Sequence, residues 1–320
     1  MPIDEIFRIG DRVQLTGPKG RLNTITLYAG GRFGTHKGDI LHDDIIGKPE
    51  GSVVSSDKGS QYLALKPLLT DYVLSMPRGA AIIYPKDAGQ IIVEADIYPG
   101  ATVVEAGVGS GALSSYLLRA IGDKGRLVSF ERRDEFAQIA KANVKIQLGE
   151  EPGNWEVVTG DLQDKLGEAI EPGSVDRVVL DMLAPWECIS AVATSLRPGG
   201  VLVCYVATVT QLSRTVEEIR THSGFTDPQS WETLVRPWHV EGLAVRPEHR
   251  MIGHTAFLVM ARRLAPDTVL PVFKARRASK TDYTDEDMEI WNPGSLGERS
   301  VSEKKLRKTV RKVTNQAANK

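Results

Sequence analysis

The stretch VVEAGVGSGALSSYLLRAIG, from Val103 to Gly122, decides the fold. Its β-branched start follows a Pro-Gly break and predicts a buried strand. Gly107, Gly109 and Gly111 then crowd one turn, where glycine permits a positive φ and lets a ligand lie against bare backbone. Apolar residues recur at helical spacing after the turn, and the free N–H groups at that helix start suit a carboxylate or a phosphate. The stretch therefore predicts a strand, a glycine turn and a helix around a ligand pocket.

The acid after the next strand indicates which ligand this pocket takes. A second apolar run ends in Glu131, and an acid at that strand tip can accept hydrogen bonds from both hydroxyls of a ribose. The glycine spacing is G-x-G-x-G, not the G-x-G-x-x-G of dinucleotide enzymes. With Glu105 before the first glycine, the pattern resembles motif I of the class I S-adenosylmethionine (SAM) methyltransferases. In that family the turn holds the amino-acid end of SAM, and the acid after strand two holds its ribose.

Composition is that of an ordinary globular protein. Of 320 residues, 41% are hydrophobic and 25% are charged. The sequence has no apolar run of membrane-spanning length and no signal-peptide pattern, so we expect a cytoplasmic protein without a membrane partner. Cys188 and Cys204 form no C-x-x-C pair, and their apolar contexts favour packing over a disulfide. The net charge is −1, so a nucleic-acid partner would need local basic patches.

Residues 1–65 differ from the rest, because glycine punctuates short β-like runs there and predicts a small β module. Its basic and aromatic side chains either form a nucleic-acid surface or are scattered solvated charges; they are Lys19, Arg21, Tyr28, Arg32, Phe33 and Lys37. His36 and His42 lie near two aspartates, but their spacing fits no standard ligand set, and we expect no metal.

Three further segments complete the predicted organisation. Residues 66–98 connect the module to the fold through a helix and the Tyr84-Pro85-Lys86-Asp87 stretch, which either is a plain turn or closes over the nucleotide cleft. Residues 99–264 alternate strands with helices and predict an α/β catalytic domain with a parallel sheet. Residues 265–320 carry alternating charge blocks and predict a mobile tail, which either attracts phosphates or only aids solubility.

The catalytic domain is predicted to be Rossmann-like with seven strands. The first begins at Thr102, and the next three span Arg126–Glu131, Trp155–Thr159 and Val175–Leu180. A turn at Arg197–Gly200 precedes the fifth strand, VLVCYV, and the last two fall within Gln229–Val240 and Thr255–Arg262. With the last pair antiparallel, these would form the class I methyltransferase sheet. The strand order is implied by that resemblance alone.

Acidic residues end the successive strands of this predicted sheet. Ligands bind open α/β sheets at the carboxyl ends of strands, so the turn Gly107–Leu113 should converge with Glu131, Asp161 and Asp181. Each acid alone could be a surface residue or a helix cap, whereas several at successive strand ends favour a site. Asp161 is placed to meet the adenine of SAM. Phe136 either packs on the same adenosine or belongs to the apolar stripe of its helix.

The stretch DMLAPW, Asp181 to Trp186, indicates the kind of acceptor. It resembles the fourth motif of methyltransferases that act on amino groups or ring nitrogens. Methyl transfer to nitrogen is an in-line displacement, so the lone pair must point at the methyl group. A carboxylate such as Asp181 can accept a hydrogen bond from an exocyclic amine and favour the positive charge that grows on the base. An aromatic such as Trp186 can stack on that base.

Several longer stretches resemble the tRNA (adenine-58-N1)-methyltransferase family of the bacterial and archaeal single-chain type. They are GTHKGDILHDDIIG, GSVVSSDKG, MPRGAAIIYPKDAGQII, EAGVGSGALS, DMLAPWE and RPEHRMIGHTAFL, which together run from about residue 34 to 258. The resemblance implies SAM as methyl donor, adenine N1 of a tRNA T-loop as acceptor, and a homotetramer.

Carried over position by position, the resemblance assigns roles to named residues. Those that hold SAM are Ser110, Gly111, Ala112, Leu113 and Glu131. Further cofactor contacts are expected from the turn and strand-end positions described above; they are Glu105, Gly107, Gly109, Phe136, Asp161 and Asp181. Asp181 lies at the reaction centre, and Tyr84 lies near the methyl group and the target base. Relatives often have histidine where this chain has Phe136.

The target adenine lies folded into the tRNA elbow and must be extruded. Basic residues that could hold the RNA backbone are Arg78, Lys86, Arg236, Arg246 and Arg250. A methyltransferase of protein carboxylates is one alternative, and the N-terminal module and DMLAPW speak against it. A tRNA-binding subunit that has lost its site is another, and the intact glycine turn with Glu131 and Asp181 speaks against that.

Overall fold

The computed structural model describes residues 6–271 and 302–318. The chain falls into two compact units: Met1–Met76 with Asn315–Lys320, and Pro77–Thr314. Across the described residues, every helix is too short or too polar to cross a bilayer.

The first unit is a small antiparallel β module followed by a helix, as the glycine-punctuated runs predict. Its elements are β1 Arg12–Thr16, β2 Leu22–Thr26, β3 Arg32–Thr35, β4 Gly38–Leu41, β5 Val53–Ser55, β6 Gln61–Leu65 and α1 Leu69–Ser75. Four strands form one sheet in the order β2-β1-β6-β5, and β3 pairs with β4 in a separate hairpin. Alternation in β1 buries Val13 and Leu15, which join Phe7, Leu27 and Ile40 in one core.

The second unit alternates helices and strands. Its elements are α2 Pro85–Glu94, β7 Thr102–Ala106, α3 Ala112–Ile121, β8 Arg126–Glu131, α4 Asp134–Leu148, β9 Trp155–Thr159, α5 Leu162–Ala169, β10 Val175–Asp181, α6 Ile189–Ser195, β11 Leu196–Val206, α7 Val209–His222, β12 Gln229–Trp231, β13 Trp238–Glu241, β14 Ala244–Pro247 and β15 Phe257–Arg262. A last helix, α8, spans Glu303–Ala318.

Seven of these strands form one twisted sheet in the order β12-β15-β11-β10-β7-β8-β9. The pairs from β11 to β9 are parallel, and β15 runs antiparallel to both of its neighbours. Central strands such as β7 and β10 are apolar runs buried on both faces, as expected of a sheet covered by helices. The predicted Rossmann-like, seven-stranded fold is confirmed.

Three local predictions differ from the structure. The Arg197–Gly200 stretch is not a turn before β11 but an irregular part of that strand, where the pairing with β10 shifts register. The sixth strand is only Gln229–Trp231, and the residues after it form the separate β13–β14 hairpin. The predicted mobile tail contains a helix at Glu303–Ala318, while residues 272–301 lie outside the described chain.

Candidate active site

The glycine turn between β7 and α3 requires glycine at two positions. Gly107 has φ +84°, and a Cβ there would overlap the carbonyl oxygen of Asp181 on the neighbouring strand. Gly111 has φ +79°, and its Cβ would lie 3.1 Å from the backbone of Ala140 in α4. The turn is therefore bare backbone wedged between β10 and α4, at the carboxyl end of the central strand.

Glu105 is fully buried beneath this turn. Its Oε2 accepts hydrogen bonds of 2.7 Å from the hydroxyls of Ser114 and Ser129, whereas its Oε1 has no partner among the described residues. Burial raises the pKa of Glu105 to about 7, although the two serine hydrogen bonds act in the opposite direction. The carboxyl group thus keeps one acceptor atom free within a site that disfavours its negative charge.

Glu131 closes the other side of the turn from the end of β8. Its side chain is only 6% exposed. Oε2 accepts a 3.1 Å hydrogen bond from the N–H of Gly109, and Oε1 accepts one of equal length from the N–H of Arg133. A carboxylate held against the glycine turn in this way is placed to accept from the hydroxyls of a bound ribose.

Asp181 ends β10, and Tyr205 is its partner on the parallel strand β11. Its pKa is raised to about 7, first by loss of solvation and then by the negative charges of Glu105 and Glu131. Three carboxyl groups therefore share one poorly solvated place at the carboxyl ends of β7, β8 and β10. Such a cluster favours protons or a cationic ligand.

The segment before α2 lies beside the glycine turn. The buried Asn143 of α4 donates from Nδ2 to the carbonyls of Pro77 (2.8 Å) and Ser110 (2.9 Å), which ties the segment to the turn. A Cβ on Gly109 would lie 3.9 Å from Ala80, so the two backbones pass close together. Asn143 was not predicted from the sequence, although its amide inside the apolar stripe of α4 could have indicated a buried polar contact.

The YPKD stretch is the start of a helix. Tyr84 precedes α2 and is half-buried, and Pro85 is its first residue, where the missing N–H costs nothing. Lys86 is not free to hold RNA: its side chain is 6% exposed, and Nζ lies 2.7 Å from Asp87 and 2.6 Å from the Thr255 hydroxyl. The Asp87 carboxylate also accepts from the hydroxyls of Tyr205 (3.1 Å) and Thr255 (2.7 Å). This buried network argues against the prediction that Lys86 contacts the RNA backbone.

Two predicted aromatic contacts also meet a different environment. Trp186 is only 6% exposed, and the Arg214 guanidinium lies 4.3 Å from the centre of its ring, which argues against stacking on a target base. Phe136 is fully buried, and the Arg133 guanidinium lies 4.0 Å from its ring centre. This placement favours the packing role of Phe136 over contact with an adenosine.

Other predicted site residues lie at the surface. Asp161 immediately precedes α5 and pairs with Arg132 at 2.9 Å. The remaining basic candidates are exposed and form no ion pair within the described chain; they are Arg78, Arg236, Arg246 and Arg250. Among residues 6–271 and 302–318, three or more His, Cys, Asp or Glu side chains nowhere group as metal ligands would.

Polar atoms in the pocket that have no partner in the described chain match the polar groups of SAM. The Ser110 hydroxyl is buried in the turn without a partner among the described residues, as is Oε1 of Glu105. Both can serve the amino-acid end of the cofactor, while the carboxylate of Glu131 suits its ribose. Together with the strand order and the glycine turn, these features define a class I SAM-dependent methyltransferase.

Comparison with known proteins identifies the family within this class of methyltransferases. Residues 62–251 match the family described as "tRNA methyltransferase complex GCD14 subunit", and residues 6–54 match "TrmI-like N-terminal". The chain is 35% identical over 247 residues to the tRNA (adenine(58)-N(1))-methyltransferase TrmI of Thermus thermophilus, covering 77% of this chain and 94% of that one. It is 34% identical to the tRNA (adenine(57)-N(1)/adenine(58)-N(1))-methyltransferase TrmI of Methanocaldococcus jannaschii, covering 72% and 88%.

The solved structure of tRNA (m1A58) methyltransferase TrmI from Aquifex aeolicus is similar, with a TM-score of 0.71 and 27% identity over 81% of this chain and 99% of that one. A SAM-dependent O-methyltransferase from Thermotoga maritima has a TM-score of 0.77 at 28% identity, covering 83% and 98%. The chain belongs to the tRNA (adenine-58-N1)-methyltransferase family, which confirms the resemblance drawn from its motifs.

Proposed function

We propose that this protein transfers a methyl group from SAM to N1 of adenine 58 in the T-loop of tRNA, giving 1-methyladenosine. SAM supplies an electrophilic methyl group on a positively charged sulfur. The family, the glycine turn and the carboxyl groups of Glu105 and Glu131 support this donor. The names of the relatives from Thermus and Methanocaldococcus support this acceptor.

The observation that carries the proposal is the position of Asp181. Its backbone touches the glycine turn at Gly107, and its carboxyl group ends the strand next to the donor pocket. The ionised carboxyl can accept a hydrogen bond from the exocyclic amine of adenine and so direct N1 toward the methyl group. It can also stabilise the cationic 1-methyladenine product. Tyr84 is proposed to lie beside the target base.

The direct test measures methyl transfer from labelled SAM to unmodified tRNA. Wild-type protein should label a transcript with adenine at position 58 and leave one with guanine there unlabelled. Asp181→Asn keeps the shape of the side chain and should lower kcat by about 10²–10³, the usual cost of removing one stabilising group in an active site. Its SAM affinity, measured by calorimetry, should stay within a few fold.

The exposed Asp164 offers a matched control, since Asp164→Asn removes the same charge from the start of α5. That variant should retain wild-type turnover. Equal turnover in the Asp181 variant, the Asp164 variant and wild type would refute the role of Asp181. Mapping the methylated positions also tells whether adenine 57 is modified, as the name of the archaeal relative states for that protein.

The RNA backbone is proposed to be held by exposed arginines of the second unit. Arg246 lies on β14, Arg236 and Arg250 lie just outside the hairpin, and Arg78 precedes α2. Each is exposed without an ion pair among the described residues, so each charge is available to a phosphate. Because tRNA is the proposed substrate, the proposed compartment is the cytoplasm.

A homotetramer is proposed as the working assembly. The β13–β14 hairpin exposes large apolar side chains: Trp238 is 58% exposed, Val240 68% and Leu243 fully. A two-stranded hairpin with such a surface is poorly stable alone in water, and contact with another subunit would cover it. Light scattering should give four times the mass of one chain, and Leu243→Asp should lower that mass. A monomeric wild-type protein would contradict the assembly.

A further inference from the structure

A second pocket lies in the first unit, between two hairpin turns. Pro18–Gly20 belongs to the turn that joins β1 to β2, and His36 with Lys37 joins β3 to β4. Together with Phe33 and Tyr62 these turns line a cavity of about 550 Å³. That volume falls within the roughly 300–1,000 Å³ typical of small-ligand sites. None of its lining residues belongs to the SAM site.

The pocket is strongly basic. Lys19, Arg21 and Lys37 line it, His36 adds a titratable ring, and no Asp or Glu is among its lining residues. None of the three cations forms an ion pair with any described residue, and all three are exposed. Concave walls of one charge sign focus the electrostatic potential, so the pocket favours an anion.

Its aromatic residues favour a planar group beside that anion. Tyr62 is 3% exposed, and its ring fills the space that a side chain on Gly17 would occupy. Phe33 is half-buried and lies in the wall between the basic turns. Cations beside aromatic rings are the combination that binds the phosphate and base of single-stranded nucleic acid. An acidic peptide would use the cations but not the rings.

Hydrogen bonds hold both turns in place. In the first turn the N–H of Gly17 donates to the carbonyl of Arg21 (2.9 Å), and the N–H of Gly20 donates to the carbonyl of Gly17 (3.1 Å). The Thr35 hydroxyl donates to the carbonyl of Gly38 (2.7 Å), and the N–H of Lys37 donates to that hydroxyl (3.0 Å). The Ser56 hydroxyl donates to the carbonyl of Lys37 (2.7 Å). Lys19 adopts φ +64°, a left-handed conformation that a glycine would adopt more readily. This conformation costs the turn some stability when the residue is a lysine, and a glycine at this position would relieve that cost.

We propose that this pocket binds a second nucleotide of the tRNA, with the phosphate on Lys19, Arg21 and Lys37 and the base on Phe33. The inference rests on the proposed function, since it takes tRNA as the substrate. It adds a binding site on the β module that is separate from the pocket of the reacting adenine.

The test uses the full chain and the double variant Lys19→Gly/Lys37→Ala. Each lost phosphate contact should lower the slope of log K against log salt by about 0.7, and two should weaken tRNA binding roughly 20-fold at about 0.1 M salt. Fluorescence anisotropy with unmodified tRNA measures both quantities. Lys19→Gly also relaxes the strained turn, so thermal stability should not fall with affinity, whereas a folding defect would lower both.

Lys48→Ala/Lys124→Ala removes the same charge from exposed positions outside the pocket and should change the affinity less than threefold. Phe33→Leu should weaken tRNA binding about tenfold by removing the stacking surface, and Phe33→Trp should restore it. These two variants separate stacking on a base from general attraction of charge.

Two outcomes would overturn the inference. In one, the pocket variant binds tRNA as tightly as the control variant. In the other, a poly-aspartate peptide displaces tRNA from wild type but not from the pocket variant, which would assign the pocket to an acidic protein segment. Failure of the proposed function is recognised separately, because wild type would then leave tRNA unmethylated in the labelled-SAM assay.

Discussion

Replacing Glu105 by glutamine should remove a pH-dependent cost of folding. The Glu105 carboxyl is fully buried, and its pKa is about 7 against an ordinary value of 4.5. A carboxyl whose pKa is raised in the folded state binds its proton more tightly there, so stability is lost as pH rises from 4.5 to 7. This rise in the pKa corresponds to roughly 3 kcal/mol once the group is ionised.

Between pH 5 and pH 8 the expected loss of stability is roughly 2–3 kcal/mol, because part of the cost is already present at pH 5. For a unit of this size that is on the order of 5–10 °C in melting temperature. Glutamine cannot ionise, so a packing change caused by Glu105→Gln contributes equally to the melting temperature at every pH. The melting temperature of the variant minus that of wild type should therefore rise by this amount from pH 5 to pH 8.

Circular dichroism melts at several pH values without SAM measure this difference. Glu150→Gln removes an exposed carboxyl and should give a flat difference. Added SAM should reduce the pH dependence in wild type, since a bound cation stabilises the ionised carboxyl. A difference that does not change with pH, or that falls as pH rises, would show that Glu105 is not held as a weakened acid and would refute the reasoning.

Three further predictions concern the same site. Gly107→Ala should weaken SAM binding at least tenfold by calorimetry, because its Cβ overlaps a neighbouring carbonyl, whereas Gly149→Ala has a similar positive φ and open space and should bind SAM normally. Asn143→Ala removes the donor to the buried carbonyl of Ser110 and to the half-buried carbonyl of Pro77. It should cost about 2–4 kcal/mol of unfolding free energy in denaturant titrations and should raise the Kd for SAM. As Asp181 ionises, kcat/KM for SAM should rise with pH by up to about tenfold per pH unit below pH 7 and level off above pH 7. A flat profile from pH 5 to 8 would contradict the assignment of Asp181.

Strand bounds were predictable where β-branched and aromatic residues cluster between turn signals. The predicted bounds of Arg126–Glu131 and Trp155–Thr159 are those of β8 and β9. The start of β11 was harder to predict. Pro198, Gly199 and Gly200 have the composition of a turn, yet β11 runs through them as a register shift against β10. Local composition indicates where a strand bends but not whether its pairing continues.

The candidate site likewise contains some residues that the sequence could predict and others that it could not. Acids at strand ends were predictable because parallel strands bring their carboxyl ends to one edge. The buried position of Lys86 was not predictable, since its partner Thr255 lies 169 residues further along the chain. Ser114 and Ser129, which bind Glu105, are ordinary small residues in sequence and acquire a role only through the packing of α3 and β8. Which side chains become hydrogen-bond partners depends on the tertiary fold, and the periodicity of the sequence does not specify it.

The electrostatics of the site explain why these three carboxyl groups belong together. Methyl transfer from a sulfonium to a ring nitrogen moves a positive charge from donor to base. Glu105, Glu131 and Asp181 lie together at the proposed site of that transfer, and loss of solvation with mutual repulsion raises the pKa of Glu105 and of Asp181 to about 7. Their mutual repulsion costs stability, and a bound cation relieves it. In the proposed mechanism Asp181 is the carboxyl on the acceptor side, so its ionised form is stabilised most when the positive charge reaches the base. Stabilisation of that kind lowers the barrier and does not only bind the donor.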